Sequence, residues 1–446
     1  MTSVYTRRQM LASAAGPIMA AGRKRPNILF ILSDDHHYQC LGAAGNPHIH
    51  TPNLDRLAAR GVNFSNAQIS TSQCAPSRGI LLSGLETYQN GLISNGQTRF
   101  REGLGPGVAE QLRRSGYDTV LVGKWHVANR PEECGFSRAP LWFPGGGSIY
   151  RNPKLCHGLS GKLTETPGHI TDLLTDAAIG YLAQADAQPF LLWLAYNAPH
   201  TPWYAPERYT ALYAGKDPAA IAPPAHPTGG LKFNWNLYYS VITHMDDALG
   251  RLIAELERRK LWENTVVFFL GDNGYTCGSH NWIGKVYCWE ESVRVPLIVA
   301  GPGVARGRVL DAPAASVDLP RTWLDLAHVA PQSPLAGRTL TRALRSGRGG
   351  PDYGFSVWDD PRTGALAVKT AVEPYRLVRT RTHKLVVWQS GRQALYDIRT
   401  DLGEEHNLLA NAASENIASD LRTALARRMK ETSDPAIEWL SRHQAE

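Results

Sequence analysis

The sequence predicts an α/β fold, with a large, mostly parallel central sheet flanked by helices and a smaller C-terminal subdomain of antiparallel sheet plus helix. Three observations carry that expectation. Short runs rich in β-branched and aromatic residues alternate with segments of helical periodicity through most of the chain. The composition then changes near 345–353, "RSGRGGPDY". Beyond it, strand-like runs follow one another directly and end in a single closing helix.

The elements follow in order. "PNILFILS" (26–33) is short, continuous and apolar, as a strand buried on both faces is. In "TPNLDRLAARG", Thr51 suits a helix cap, Pro52 the first helical position and Gly61 the stop. "GVAEQLRRSGY" reads as a helix and "DTVLVGK" as the next strand. "HITDLLTDAAIGYLAQA" has helical spacing and "PFLLWLAYNAPH" is again a strand. A long amphipathic segment over 235–260 leads into the strand "NTVVFFLGDNG", and "VPLIVAGPG" closes the series. In the C-terminal part, "YRLVRTRTHKLVVWQ" and "QALYDIRT" supply short alternating runs, and a helix is expected over 414–430. The expected organisation is thus a segment 1–22, a main α/β domain over 23–348 and a subdomain over 349–446.

Bulk composition narrows the class. With 446 residues, 43% hydrophobic and 20% charged, the chain has the makings of a large core and lacks the signature of disorder. The net charge of +7 comes from scattered residues without a basic block, which supports no nucleic-acid partner but suits an anionic small substrate. No run of about 18 apolar residues suggests a membrane span. The opening "TRRQMLASAAGPIMAAG" pairs Arg7 and Arg8 ahead of a weakly apolar, small-residue stretch, like a twin-arginine export signal. A periplasmic or secreted protein is expected. The six cysteines are widely spaced with no Cys-x-x-Cys pair, which disfavours a zinc ribbon or a dense disulfide framework.

In open α/β sheets, ligands bind beyond the carboxyl ends of the strands. Asp34 and Asp35 directly follow the first strand; Lys124 and His126 follow "DTVLV"; His200 follows "FLLWLAYNAP"; Asp272 and Asn273 follow "TVVFFLG". Any one of these suits a turn or cap. As a set, they deliver carboxylates, an amide, imidazoles and an ammonium to one edge. Asp34, Asp35, Asp272 and Asn273 make a hard oxygen cage suited to Ca²⁺ or Mg²⁺. Arg78, Lys124, His126, His200 and Lys285 would surround it with positive charge, as a tetrahedral oxyanion such as phosphate or sulfate requires.

"CAPSR" (74–78) matches the Cys-x-Pro-Ser-Arg signature of the type I sulfatases, which belong to the alkaline phosphatase superfamily, and "GILLSGL" resembles the family's extension of it. "RPNILFILSDD", "TPNLDRLAARGVNFSNA", "GYDTVLVGKWH", "PFLLWLAYNAPHTP", "FFLGDNG", "ESVRVPLIVAGPG" and "ALYDIRTDLGEEHNLL" resemble further family blocks, in family order. The resemblance implies that Cys74 is converted to formylglycine by a formylglycine-generating enzyme and is also a metal ligand. The hydrated aldehyde offers two hydroxyls: one attacks sulfur and expels the alcohol, and deprotonation of the other releases sulfate. By the same resemblance, Asp34, Asp35, Asp272 and Asn273 are the Ca²⁺ ligands. Arg78 braces the hydrated aldehyde, His126 is the base that collapses the sulfated intermediate, and Lys124 belongs to the same block. His200 and Lys285 hold the sulfate and help protonate the leaving oxygen. His36, His37 and His280 flank these blocks and are candidate substrate contacts. Trp203, Trp282 and Trp289 are candidates for stacking on a sugar, with core packing as the alternative.

The expected activity is hydrolysis of a sulfate ester, on a sulfated carbohydrate in the first instance. An aryl- or alkyl-sulfatase, a hydrolase that also takes phosphate esters, and a non-catalytic binder of sulfated glycans are the alternatives. The segments 142–162 and 216–235 are expected to be irregular walls shaping the pocket for the leaving group.

Overall fold

The computed structural model describes residues 25–224, 226, 230–360 and 372–442. The export-like segment lies outside the described residues. Ten strands form the main sheet: β1 (Asn27–Ser33), β2 (Gly61–Phe64), β3 (Asp118–Lys124), β4 (Arg138–Phe143), β5 (Lys154–His157), β6 (Leu163–Glu165), β7 (Phe190–Ala195), β8 (Thr265–Gly271), β9 (Leu297–Ala300) and β10 (Arg308–Leu310). Their spatial order is β10-β2-β9-β8-β1-β7-β3-β4-β5-β6. The central β8, β1, β7, β3 and β4 run parallel, while β9, β5 and β6 are antiparallel to their neighbours.

The period-two alternation of β1 explains why the sheet is covered on both faces. Leu29 and Ile31 join one apolar core, with Leu174 and Leu182 of α4 (Ile170–Gln184) and Leu249 and Leu252 of α5 (Trp235–Arg258). Ile28, Phe30 and Leu32 join the other, with Leu81 of α2 (Cys74–Ser83), Leu112 of α3 (Val108–Arg114) and Trp323 of α6 (Asp318–Leu326). The first helix, α1 (Pro52–Ala59), carries Pro52 at its start as expected. Segment 142–162 is less irregular than expected: it contains the end of β4 and all of β5, which pairs with Leu141 and Trp142.

The α4 N-terminus carries its own pH sensitivity. His169 accepts a bond from the Thr171 N–H at 3.2 Å, which only an unprotonated Nδ1 can do, and its Nε2 meets the Tyr204 carbonyl oxygen at 3.2 Å. Burial, reinforced by neighbouring His244, holds the ring at about 4 instead of 6.5. Between those values the folded chain binds fewer protons than the unfolded chain, so stability falls as pH drops through the window. The partly exposed ring warrants a discounted loss of about 1–2 kcal/mol. Urea denaturation at pH 7 and at pH 4.5 measures it, and His169→Asn, which caps without titrating, is expected to flatten the difference.

A second sheet, β11 (Gly354–Trp358), β12 (Tyr375–Arg379), β13 (His383–Trp388) and β14 (Gln393–Asp397), is an antiparallel meander in chain order. One face packs on α7 (Glu415–Glu431) through Val378, Leu385, Leu421 and Leu425. The other face, with Tyr375, Leu377 and Val386, packs on Val286 and Cys288, which follow β8 of the main sheet. Buried charges cross the same boundary. Glu290 accepts from Arg379 at 2.8 Å and from Lys384 at 3.2 Å, and Lys384 also pairs with Glu404. Removing one partner of such a buried pair costs about 3–5 kcal/mol because it strands the other charge, so these residues of the small sheet and of the chain after Val286 are bound to change together.

Candidate active site

The carboxyl ends of β1, β3, β7 and β8 meet the N-terminus of α2. Asp34 and Asp35 leave β1, Asp272 and Asn273 leave β8, and backbone bonds between Asp272 N–H and the Ser33 carbonyl, and between His36 N–H and the Asn273 carbonyl, hold the two strand ends level. Asp35 takes φ +61°, a left-handed turn that separates its side chain from that of Asp34. One ligand atom each of Asp34, Asp35, Cys74 and Asp272 lies within 4.8 Å of the others.

Cys74 is the first residue of α2 and is buried. Its Sγ lies 3.4 Å from Asp34 Oδ1 and 2.8 Å from Lys285 Nζ. The start of the helix is held from outside: Ala75 N–H donates to Asn95 Oδ1 at 3.1 Å, and Asn95 N–H donates to Gln73 Oε1 at 2.7 Å. Arg78, one turn on, sits on the same face. It donates through Nη2 and Nε to Asp272 Oδ2, at 2.8 and 3.2 Å, and through Nη1 to the Lys124 carbonyl at 2.8 Å. Lys124 pairs with Asp34, and Lys285 with Asp35. His200 Nε2 stands 3.8 Å from Asp35 Oδ2.

The electrostatics follow from this packing. Burial alone would raise the Asp34 carboxyl, but the cations around it, Lys124 first and then Lys285 and Arg78, outweigh it and hold it well below the carboxylate range. Asp272 goes the other way: burial and the neighbouring Asp34 charge push it up to about 6. Burial, then Asp34, push the Cys74 thiol up to about 12, so the cysteine as encoded is a poor nucleophile here. Burial, then Lys124 and Arg78, lower His126 to about 2, and burial lowers His200, so both imidazoles are neutral in the unliganded site.

The donor set fits a hard divalent cation. Asn273 donates through its amide nitrogen to Asp35 Oδ1 at 2.6 Å and to the Gly274 carbonyl at 2.8 Å, yet its Oδ1 is buried without a partner. A buried oxygen in that state, beside three carboxylates, has the character of a metal-ligand atom. The carboxylates of Asp34, Asp35 and Asp272 face the cations of Arg78, Lys124 and Lys285, so an added divalent ion would leave the cavity positive toward an incoming anion.

The three candidate substrate histidines are placed as follows. Both ring nitrogens of His36 are engaged inside the fold, at 3.0 Å from Ser33 Oγ and at 3.0 Å from the Cys40 carbonyl. His37 is fully buried, accepts from Gln39 N–H at 3.1 Å and stacks on Tyr38. His280 stacks on Trp289 with ring centroids 4.1 Å apart, and its Nε2 faces Glu291 at 3.4 Å. Of the tryptophans, Trp203 packs edge-on against Phe233 and Tyr238, and Trp282 is buried against Tyr287. All six cysteines are free thiols. Tyr238 was not legible as a site residue: its hydroxyl donates to the Asp35 carbonyl at 2.5 Å and accepts from His37 N–H at 3.0 Å, so from α5 it buttresses the turn that carries Asp34 and Asp35. Its one signal was its place on a helix facing the sheet.

Comparison with known proteins converges on one family. The family profile described as Sulfatase matches residues 26–329, and that described as N-sulphoglucosamine sulphohydrolase, C-terminal, matches residues 278–431. An N-acetylglucosamine-6-O-sulfatase of Bacteroides thetaiotaomicron is 25% identical, covering 95% of this chain and 89% of its own length. An ulvan-active sulfatase of Formosa agariphila is 28% identical over 92% of this chain and 82% of its own. A protein solved in complex with its substrate D-glucosamine-2-N,6-O-disulfate superposes with a TM-score of 0.80 at 24% identity, covering 92% of this chain and 99% of that one, which shows the shared fold. The Cys-x-Pro-Ser-Arg helix, the strand-end carboxylates and the match over most of the catalytic sheet place this chain in the type I sulfatase family of the alkaline phosphatase superfamily, as an enzyme that cleaves sulfate esters.

Proposed function

We propose that the enzyme removes sulfate from a sulfated carbohydrate, with a nucleophile made from Cys74 and a Ca²⁺ ion held by Asp34, Asp35, Asp272 and Asn273. The observation that carries this reading is the convergence of Cys74, those carboxylates and the cations Arg78, Lys124 and Lys285 in one buried cavity. The relatives named for N-acetylglucosamine-6-O-sulfate and ulvan support a saccharide as the alcohol component. The Cys-x-Pro-Ser-Arg stretch at 74–78 supports conversion of Cys74 by a formylglycine-generating enzyme.

A hydrated aldehyde at residue 74 would supply one hydroxyl that displaces the alcohol at sulfur and a second whose loss of a proton releases sulfate. The bound cation would polarise the sulfate oxygens and the attacking hydroxyl. The remaining work falls to side chains. Arg78 and Lys285 flank residue 74, and Lys124 lies on the far side of Asp34. Their positive charges neutralise the sulfate oxygens as negative charge moves onto the departing oxygen. His200, whose Nε2 stands 3.8 Å from Asp35, is the proposed acid for that oxygen in its protonated form, which the negative charge of a bound sulfate would favour. His126, neutral, takes the proton whose loss releases sulfate. The first 22 residues support export to the periplasm or medium. Among the described residues, no helix is long and apolar enough to cross a membrane.

The test is release of free sulfate from a panel of position-specific sulfated mono- and disaccharides, run beside a small aryl sulfate. Turnover of a saccharide above the aryl ester is the expected result. Efficient turnover of the aryl ester alone would point to an aryl sulfatase, and tight binding of sulfated glycans without sulfate release would point to a binding protein. Incubation with EGTA is expected to abolish turnover and lower the melting temperature, and added Ca²⁺ to restore both.

A further inference from the structure

After β4 the chain passes against His126 and His200 as Pro144, Gly145, Gly146, Gly147 and Ser148. We propose that Gly146 and Gly147 are positioning residues: a side-chain-free strap that fixes the imidazoles of His126 and His200 against the cavity. A Cβ built on Gly146 would fall 2.7 Å from His126 Cε1 and 2.8 Å from its Nε2. One built on Gly147 would fall 3.0 Å from both Cε1 and Nδ1 of His200. Carbon atoms in comfortable contact stand about 3.5–4.0 Å apart, so the backbone of each glycine already lies against a ring.

The chain itself does not demand glycine here. None of Gly145, Gly146 and Gly147 is in the left-handed region, so each has a backbone conformation open to alanine. The demand comes from the rings. Gly145 shows the contrast, since a Cβ there would meet only the Gly147 carbonyl oxygen, at 3.7 Å.

Nor can the strap retreat. His126 N–H donates to the Pro144 carbonyl at 3.2 Å. Beyond the glycines, Ser148 N–H donates to Asn197 Oδ1 at 2.9 Å, and Asn197 Nδ2 donates to the Ser148 carbonyl at 3.1 Å. Asn197 is fully buried at the end of β7, so both anchors belong to the central sheet. His200 has no slack either: its Nδ1 meets the Thr201 carbonyl at 2.5 Å, and its own carbonyl accepts from the Tyr150 hydroxyl at 2.8 Å. The strap, anchored at both ends, and the rings behind it form one packed unit. The consequence for turnover rests on the sulfatase mechanism proposed above; the packing does not.

The experiment compares Gly145→Ala, Gly146→Ala and Gly147→Ala in the full-length protein. Gly145→Ala is expected to keep wild-type kcat and KM. Gly146→Ala is expected to lower kcat by about 10²-fold with KM nearly unchanged, the cost of moving a reacting group by a fraction of an ångström. Gly147→Ala, whose overlap is smaller, is expected to lose about tenfold. NMR of protein labelled with ¹³C at histidine Cε1 supplies a readout independent of turnover: the His126 signal should move in Gly146→Ala and the His200 signal in Gly147→Ala, with the other histidines unmoved. Equal kcat values and unshifted ring signals across all three variants would overturn the proposal. If the wild type releases no sulfate from any ester, the hydrolase reading fails, while the ring signals still decide the strap. Should Gly146→Ala melt early, the double variant with His126→Ala is expected to melt like His126→Ala alone, because the overlap has gone; a double variant as unstable as Gly146→Ala would equally count against the strap.

Discussion

Cys74→Ala is expected to cut sulfate release by about 10⁴-fold or more, the scale on which enzymes lose activity when a covalent nucleophile is removed. The fold should survive, because alanine suits the first turn of α2 and the Ala75–Asn95 and Asn95–Gln73 bonds that hold it do not involve the thiol. The variant is therefore expected to melt near the wild-type temperature and to bind Ca²⁺, with one ligand fewer. Cys74→Ser sharpens the point. A serine keeps an oxygen in place and leaves the cage intact, yet offers one hydroxyl where release of sulfate without attack by water needs two on one carbon. Mass spectrometry of the peptide spanning residue 74 reports whether wild-type protein carries a thiol or an aldehyde. Full activity in Cys74→Ala, or full activity from protein whose residue 74 is an unmodified thiol, would end the mechanism.

Asp34→Asn is expected to be nearly as damaging, for a different reason. Asp34 is where the site's demands meet: its carboxylate faces the Cys74 Sγ, pairs with Lys124 and belongs to the proposed metal cage. The amide keeps the volume but loses the charge, so metal affinity and kcat are both expected to fall by about 10³-fold. It also leaves the buried Lys124 ammonium without its counter-ion, at about 3–5 kcal/mol of stability. Combining Asp34→Asn with Lys124→Met separates the two effects. The double variant is expected to recover much of the melting temperature and none of the activity, a coupling that a double-mutant cycle reads directly. Calcium titration by calorimetry and initial rates of sulfate release supply the measurements. Wild-type calcium affinity in Asp34→Asn would remove this residue from the cage.

Much of the centre was legible in the sequence because its signals are local. Asp34 and Asp35 follow a run of apolar residues that are all buried in β1, and Asp272 and Asn273 follow a similar run in β8. A chain leaving a doubly covered strand must emerge at the sheet edge, so strand order alone brought these groups to one place. The short outer strands were harder to read. β2 and β10 are short, and β6 is fully exposed, so neither length nor alternation separates them from loop. The orientation of the flanking histidines was beyond sequence reasoning altogether. His36 and His37 directly follow Asp35, but hydrogen bonds to Ser33, Cys40 and Gln39 turn their rings into the protein. Adjacency along a loop says little about direction. The strap was illegible for a related reason: three consecutive glycines read as pliable chain, whereas two of them mark places where a neighbouring ring leaves no room.

The seating of Val286 and Cys288 in the C-terminal sheet ties evolution of one part of the molecule to chemistry in the other. Lys285 precedes Val286 directly, and Val286, at φ +79°, adopts a backbone shape that a β-branched residue holds only under constraint from its surroundings. That constraint is shared by the Ser72 carbonyl, which accepts from Val286 N–H at 3.0 Å, and by the apolar packing of Tyr375, Leu377 and Val386, residues remote in sequence from any reacting atom. Natural or engineered chimaeras that exchange the small sheet between homologues would thus inherit a differently aimed ammonium group, and drift at these apolar positions is answerable to turnover as well as to folding.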